Sequence, residues 1–177
     1  AVDGEAAGAA RADITLMEEM AREALTEARG LVAAMTPVSV ETTLADALGR
    51  LAATFERETA VRVHVDCSAS GMSRELEVVL LRTAQEGLAN VRKHAGADTA
   101  WVRVERDGGR VRLSVRDDGA GPGDVRIGEH GFGLSGIRDR VALVGGEVAF
   151  GAADGGGALL QIDIPAGEAG ESEGDRG

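Results

Sequence analysis

The stretch AWVRVERDGGRVRLSVRD, residues 100–117, decides the fold. Ala100, Val102 and Val104 alternate with polar or exposed-type residues in one arm, and Val111, Leu113 and Val115 do so in the other. Asp107-Gly108-Gly109 lies between them. A period of two marks strands with one buried face, and a glycine-bearing turn between two such runs marks a β-hairpin. The opposite face carries Arg112, Ser114 and Arg116. Upstream, VRVHVDC (61–67) repeats the pattern, with Val61, Val63 and Val65 against Arg62, His64 and Asp66. A sheet covered on both sides would show continuous apolar runs instead. The strands therefore predict an α/β (α+β) two-layer sandwich, with helices on one face of the sheet only.

Helical periods flank these strands. Ser39 is a plausible N-cap for a helix presenting Leu44, Leu48, Leu51 and Phe55 on one side. Residues 74–94 predict a long helix whose apolar stripe is Leu76, Leu80, Ala84, Gly87 and Val91. A glycine-rich loop over 118–133 leads to a helix near 134–144, then to strands near 147–150 and 158–164 separated by Asp154-Gly155-Gly156-Gly157. At the other end, Met17, Ala21, Ala24, Ala28, Leu31 and Met35 step by four and three, the spacing of a bundle seam. Met20, Leu25 and Val32 widen that stripe, so this helix expects more than one flat neighbour; Pro37 ends it.

Composition removes several classes of function. Hydrophobic residues make up 44% of the 177 and aromatics only 2%, so the core is aliphatic. No run of about 18 apolar residues occurs, which argues against a membrane span. AVDGEAAGAARAD carries charges where a signal peptide needs an apolar block, and reads as the inside of a longer protein. A net charge of −11 repels a nucleic-acid backbone, so no nucleic-acid partner is expected. One cysteine, Cys67, excludes an intrachain disulfide and fits a reducing, cytoplasmic setting, where it is expected to be a buried, inert thiol. His64, His94 and His130 lack metal-ligand spacing.

Three sets of residues carry chemistry. Glu86 and Asn90 lie four apart, with Lys93 and His94 three and four further on, which on a regular helix places all four on one stripe. A carboxylate, an amide oxygen and a cation in a row suit magnesium and phosphate, since magnesium keeps several waters and needs few protein ligands. Alone, the row is better read as a solvated helix face. Asp117-Asp118-Gly119-Ala120-Gly121 follows a strand directly. A carboxylate fixed there can accept from an exocyclic amine while glycines let a planar base approach, although Asp-Gly is also a common turn. Gly131-Phe132-Gly133-Leu134-Ser135-Gly136 opens a helix, whose free amides suit phosphate. This string also fits the dinucleotide fingerprint, which requires a buried strand before it and further βαβ units after it. DVRIGEH is a poor strand and the sheet is one-sided, so that reading fails.

The order and spacing of these sets are more specific than any one of them. Gln85-Glu86-Gly87-Leu88-Ala89-Asn90-Val91-Arg92-Lys93-His94-Ala95, then Asp117-Asp118-Gly119-Ala120-Gly121, then Gly131-Phe132-Gly133-Leu134 resemble the asparagine box and two glycine boxes of the histidine kinase ATP-binding domain. That domain belongs to the ATPase superfamily shared with gyrase, Hsp90 and MutL. Gly136-Ile137-Arg138-Asp139-Arg140-Val141, followed by Gly145-Gly146, is similar to kinases that pair with helix-turn-helix response regulators of the nitrate and membrane-fluidity sensing type. The resemblance covers about residues 14–165.

The resemblance implies a Bergerat ATP-binding fold over 38–165, with a mixed, mostly antiparallel sheet of about five strands. It makes 14–36 the second helix of a dimerisation and phosphotransfer hairpin, between a disordered leader (1–13) and an acidic disordered tail (166–177). The implied cofactors are ATP and Mg2+. Asn90 would coordinate magnesium, with Glu86 near it through water and as the candidate catalytic base; Lys93 and His94 belong to the same nucleotide box. Asp117 would read the adenine amine, Gly119 and Gly121 would border the base, and 122–130 would form a short, mobile lid. Gly131, Phe132, Gly133 and Leu134 would face the phosphates. The implied reaction passes the ATP γ-phosphate to a histidine and on to a response regulator receiver domain.

The sequence departs from the family pattern twice. Ala158 stands where the last glycine-rich turn usually has threonine, and none of His64, His94 or His130 fits the acceptor. The acceptor helix is therefore expected upstream of residue 1 and absent from this sequence, on the same or the partner protomer of a homodimer whose parent is open to membrane anchoring. Without that helix the chain is not expected to phosphorylate itself. Two other readings share the pocket: a serine kinase of the anti-sigma-factor type, against which the helix at 14–35 speaks, and a nucleotide-gated interaction module without phosphotransfer.

Overall fold

The computed structural model describes residues 43–123 and 132–166. The expected leader, the helix at 14–36, most of the expected lid, Gly131 and the tail from 167 onward lie outside the described residues.

The first helix, α1 (Leu44–Thr59), begins at a reciprocal cap. Thr43 Oγ1 accepts from the Asp46 N–H at 3.1 Å, and Asp46 Oδ2 accepts from the Thr43 N–H at 3.2 Å. Thr43 therefore replaces Ser39 as the cap, because only a hydroxyl with an acceptor three residues later closes both bonds. Leu44, Leu48, Ala52 and Phe55 are its buried residues. Ala60 then takes a left-handed φ of 61° and its N–H returns to Glu56.

After β1 (Arg62–Cys67), Ser73 caps the long helix α2 (Arg74–Asn90) by accepting from the Leu76 N–H. The expected stripe is buried, joined by Val79, Thr83 and Leu88. The helix does not run regularly to His94: Val91–Ala95 forms a π-helical turn ending at Gly96, whose φ is 55°. The remaining elements are β2 (Thr99–Asp107), β3 (Arg110–Asp117), α3 (Phe132–Leu143), β4 (Glu147–Ala152) and β5 (Ala158–Pro165).

Five strands form one sheet in the order β1-β2-β3-β5-β4. β1 and β2 are parallel, joined through α2, and every other pairing is antiparallel. The hairpin registers Val102 with Val115 and Val104 with Leu113. Ala100, Val102, Val104, Val111, Leu113, Val115, Leu160, Ile162 and Ile164 fill the inner face, none more than 3% exposed. Leu80, Ala84, Leu88, Ile137 and Val141 of α2 and α3 close over them. Gly87 lets α2 come down onto the sheet, since a Cβ there would lie 2.8 Å from Val115 Cγ2.

The outer face is polar, as the alternation requires. Arg103 pairs with Asp66 at 3.1 Å, while Arg112 meets Asp163 at 2.9 Å and Glu105 at 3.6 Å. Arg110 also bonds Asp163, holding its carboxyl below the usual carboxylate range. Trp101 stacks on His64 with centroids 6.1 Å apart, and the Arg116 guanidinium sits 5.3 Å from its ring centroid. Exposed pairs of this kind contribute little stability each. Ala166, assigned to the tail from sequence, is instead buried, and its N–H donates to the Gly109 carbonyl.

Candidate functional site

Asp117 is the last residue of β3 and shares the phase of Val111, Leu113 and Val115. A carboxylate thus ends the buried row, only 4% exposed. Its Oδ1 accepts from the N–H of Gly119 at 2.8 Å and of Ala158 at 3.2 Å. The turn that usually carries threonine therefore still supports Asp117, through its backbone. Gly157 makes that approach possible: its φ is 82°, and a Cβ there would lie 1.9 Å from the Asp117 carbonyl oxygen. Gly121, at φ 85°, lies beside the same turn, where a Cβ would be 3.4 Å from the Gly157 carbonyl.

Asp118 does something different, and the motif resemblance implies no role for it. It is exposed, and its Oδ1 accepts from the N–H groups of Thr99 (2.9 Å) and Asp98 (3.0 Å). The Thr99 bond is the largest of the effects that hold its carboxyl below the usual range. Asp118 ties the loop to the start of β2. The Asp-Asp-Gly string does signal such a tie, because an Asp side chain readily binds nearby backbone amides.

The same loop touches the end of α2. The Ala120 N–H donates to the Ala95 carbonyl at 2.9 Å, and a Cβ on Gly119 would lie 2.1 Å from that oxygen. Asn90, five residues earlier, is half-buried, with its Nδ2 buried and unpartnered. Such a group is costly unless something meets the amide. Glu86 is also half-buried, and its Oε1 occupies the space a Cβ on Gly133 would take, 2.1 Å away. Sequence positions 86 and 133 are thus in contact across α2 and α3.

Lys93 and His94 depart from the expected row. They lie within the π turn, and both are exposed while Glu86 and Asn90 are half-buried. The row is therefore a half-buried pair followed by an exposed one. Leu134, in the first turn of α3, is 6% exposed, and Phe132 is the first residue of that helix. Cys67 is half-buried rather than buried; burial pushes its thiol up, which suits an inert side chain.

Among the described residues no three His, Cys, Asp or Glu side chains cluster as a metal site. Asn90 and Glu86 offer oxygen donors on one helix edge, which fits a cation that takes one or two protein groups and fills its shell with phosphate and water. No described helix is long and apolar enough to cross a membrane.

The fold is that of a histidine kinase ATP-binding domain. It superposes on the histidine kinase domain of a blue-light-activated histidine kinase from Erythrobacter litoralis with a TM-score of 0.63 and 27% identity, over 71% of this chain and 62% of that one. Residues 75–168 match the histidine kinase-, DNA gyrase B- and HSP90-like ATPase family, and the chain belongs to it. Its likeness within the family runs to sensor kinases. It is 29% identical over 165 residues to the sensor histidine kinase LiaS of Bacillus subtilis, covering 92% of this chain and 46% of LiaS. It is 30% identical over 133 residues to the nitrate/nitrite sensor protein NarQ of Escherichia coli, covering 73% of this chain and 24% of NarQ. The chain thus spans less than half the length of these relatives.

Proposed function

We propose that this chain seats magnesium-ATP between α2, α3 and the end of β3, and passes the γ-phosphate to a histidine on a helix outside this sequence. The phosphoryl group would then move to a response regulator receiver domain, with the acceptor helix supplied by the same or the partner protomer of a homodimer. Asp117 carries the reading. Two amides hold its Oδ1, and its loop bonds Ala95 at the end of the helical stretch that also carries the unpartnered Asn90 amide and the Glu86–Gly133 contact.

In this reading Asp117 Oδ2 accepts from the adenine amine. Asn90 holds the magnesium ion, which when bound offsets phosphate charge. The amides of Gly133 and Leu134 point at phosphate oxygens from the N-terminus of α3. During transfer the bond between the γ-phosphorus and the ADP oxygen breaks as a phosphorus–nitrogen bond forms to the histidine. In this reading Glu86, half-buried beside Gly133, accepts the proton on the far nitrogen of that imidazole in a hydrogen bond and so orients it.

Calorimetric titration of Mg-ATP into the chain tests the pocket. Asp117→Ala should weaken binding by roughly 1–3 kcal/mol, the cost of leaving a polar group unpaired; unchanged affinity would remove the adenine assignment. In the intact parent, labelled phosphate should be acid-labile. An acid-stable label would move the protein to serine or threonine kinases, and no label despite tight binding would leave a nucleotide-gated module.

A further inference from the structure

Two arginines on the neighbouring helices α2 and α3 are used by none of the roles above. Arg82 lies one turn before Glu86 on α2, and Arg140 lies two turns after Gly133 on α3. Since Glu86 meets Gly133, Asn90, Glu86 and Arg82 run down one wall while Gly133, Gly136 and Arg140 run down the other. The Arg140 guanidinium folds back along α3 toward its N-terminus. Arg140 Nη1 and Nη2 lie 3.4 and 3.6 Å from where a Cβ on Gly136 would sit, so that glycine leaves the guanidinium its room. Arg82 Nη1 donates to Gln85 Oε1 at 3.2 Å on its own helix, and the Arg140 charge is close enough to act on it.

Neither arginine pairs with a carboxylate among the described residues, Glu86 included. Both are half-buried, and Arg140 Nε is buried with no hydrogen-bond partner. Burial first, and the charge of Arg140 second, lower the proton affinity of Arg82. Arg112 and Arg116 also have a buried, unpartnered Nε, but Arg112 is paired with Asp163 and Glu105 and Arg116 lies over Trp101. Two like charges, half-desolvated and with a donor unused, are unfavourable on their own. An oxyanion between them would relieve both the repulsion and the unused donor. Guanidinium forks match phosphoryl oxygens in geometry and charge.

We propose that Arg82 and Arg140 form an anion site for the terminal phosphate of ATP. The polar order along α2 supports this choice. Ala95 abuts the Asp117 loop, and Asn90, Glu86 and Arg82 follow at successive steps away from it, so the arginines lie at the end of the row farthest from the adenine seat. This inference rests on the nucleotide reading above.

The test titrates ADP and a β,γ-imido analogue of ATP, each with magnesium, into wild type, Arg82→Gln and Arg140→Gln. Wild-type binding of ADP reports on the nucleotide reading itself. Given that binding, each Gln variant should lose about tenfold or more in affinity for the analogue, the loss expected of a hydrogen bond to a charged group, with ADP affinity within about twofold of wild type. Arg140→Lys keeps the charge without the fork and should fall between. Thermal unfolding checks that the variants fold, and Arg140→Lys carries the comparison if a Gln variant does not. Equal losses for ADP and the analogue, or no loss for either, would overturn the arginine site while leaving the nucleotide pocket standing.

Discussion

The N–H of Ala158 donates to Oδ1 of Asp117 across 41 residues of sequence, so the turn between β4 and β5 orients the carboxylate at the end of β3. Gly157 sits at the crossing. A methyl group there would collide with the Asp117 backbone, and its φ of 82° is one that side chains resist. Gly157→Ala should therefore lower stability by at least about 1–3 kcal/mol from backbone strain alone and weaken ATP binding with it. Gly156→Ala, at φ 105° with nothing within 4 Å of an added Cβ, should carry strain without displacing Asp117. Thermal unfolding together with ATP titration of both variants separates strain from displacement; equal ATP affinities in the two would contradict the orienting role.

The adjacent aspartates should separate in a second experiment. Asp117→Ala should act mainly on ATP affinity. Asp118→Ala removes the acceptor of the Asp98 and Thr99 amides and should lower the unfolding temperature with a much smaller effect on ATP. The pH dependence has a definite sign. Asp118 and Asp163 both have carboxyls lowered from 3.8 in the folded state, so the unfolded chain binds more protons under acid. Their stabilisation is complete above the ordinary carboxylate value and is lost as pH falls through the folded values. Unfolding temperatures measured from pH 6 downward should show this loss, and Asp118→Asn should flatten it.

Much of this was legible in the sequence because it followed from period. Alternation in 61–67 and 100–117 predicted the one-sided sheet, and the stripe from Leu76 to Val91 predicted the face of α2 that covers it. The failures have a common cause. The π turn at 91–95 leaves no mark in an apolar count, so the period predicts a regular helix as far as His94. Thr43 and Ser39 are both competent caps, and the bond from the Asp46 side chain decided between them. The contacts of Gly133 with Glu86 and of Gly157 with Asp117 join residues 47 and 40 positions apart. Motif order suggests that such residues share a pocket; only the folded chain shows which of them touch.

At Gly133 the collision is with the end of a flexible side chain rather than with backbone. Gly133→Ala should therefore displace the Glu86 carboxylate while leaving the unfolding temperature near wild type. If Glu86 orients the acceptor imidazole, phosphotransfer in the intact parent should fall in Gly133→Ala and in Glu86→Gln. ATP affinity should change less than transfer in both. Full transfer activity in Glu86→Gln would remove Glu86 from the reaction.

Gly87→Ala sets two effects of opposite sign against each other. Alanine is favoured over glycine inside a helix by roughly 0.5–1 kcal/mol. The new methyl would meet Val115 Cγ2, Cβ and Cγ1 at 2.8, 3.0 and 3.1 Å, at the point where α2 lies closest on the sheet. Overpacking of a filled core costs about 1–3 kcal/mol, so the collision should win and the variant should be less stable. Val115→Ala alone should cost stability as well, since it leaves a cavity under α2. Combined, the two changes exchange one methyl for the atoms it strikes. The double variant should then be more stable than the sum of the single losses predicts, by an interaction energy of about 0.5 kcal/mol or more. Denaturant unfolding of the four proteins measures that coupling, and strict additivity would mean that α2 shifts as a body instead of pressing on Val115.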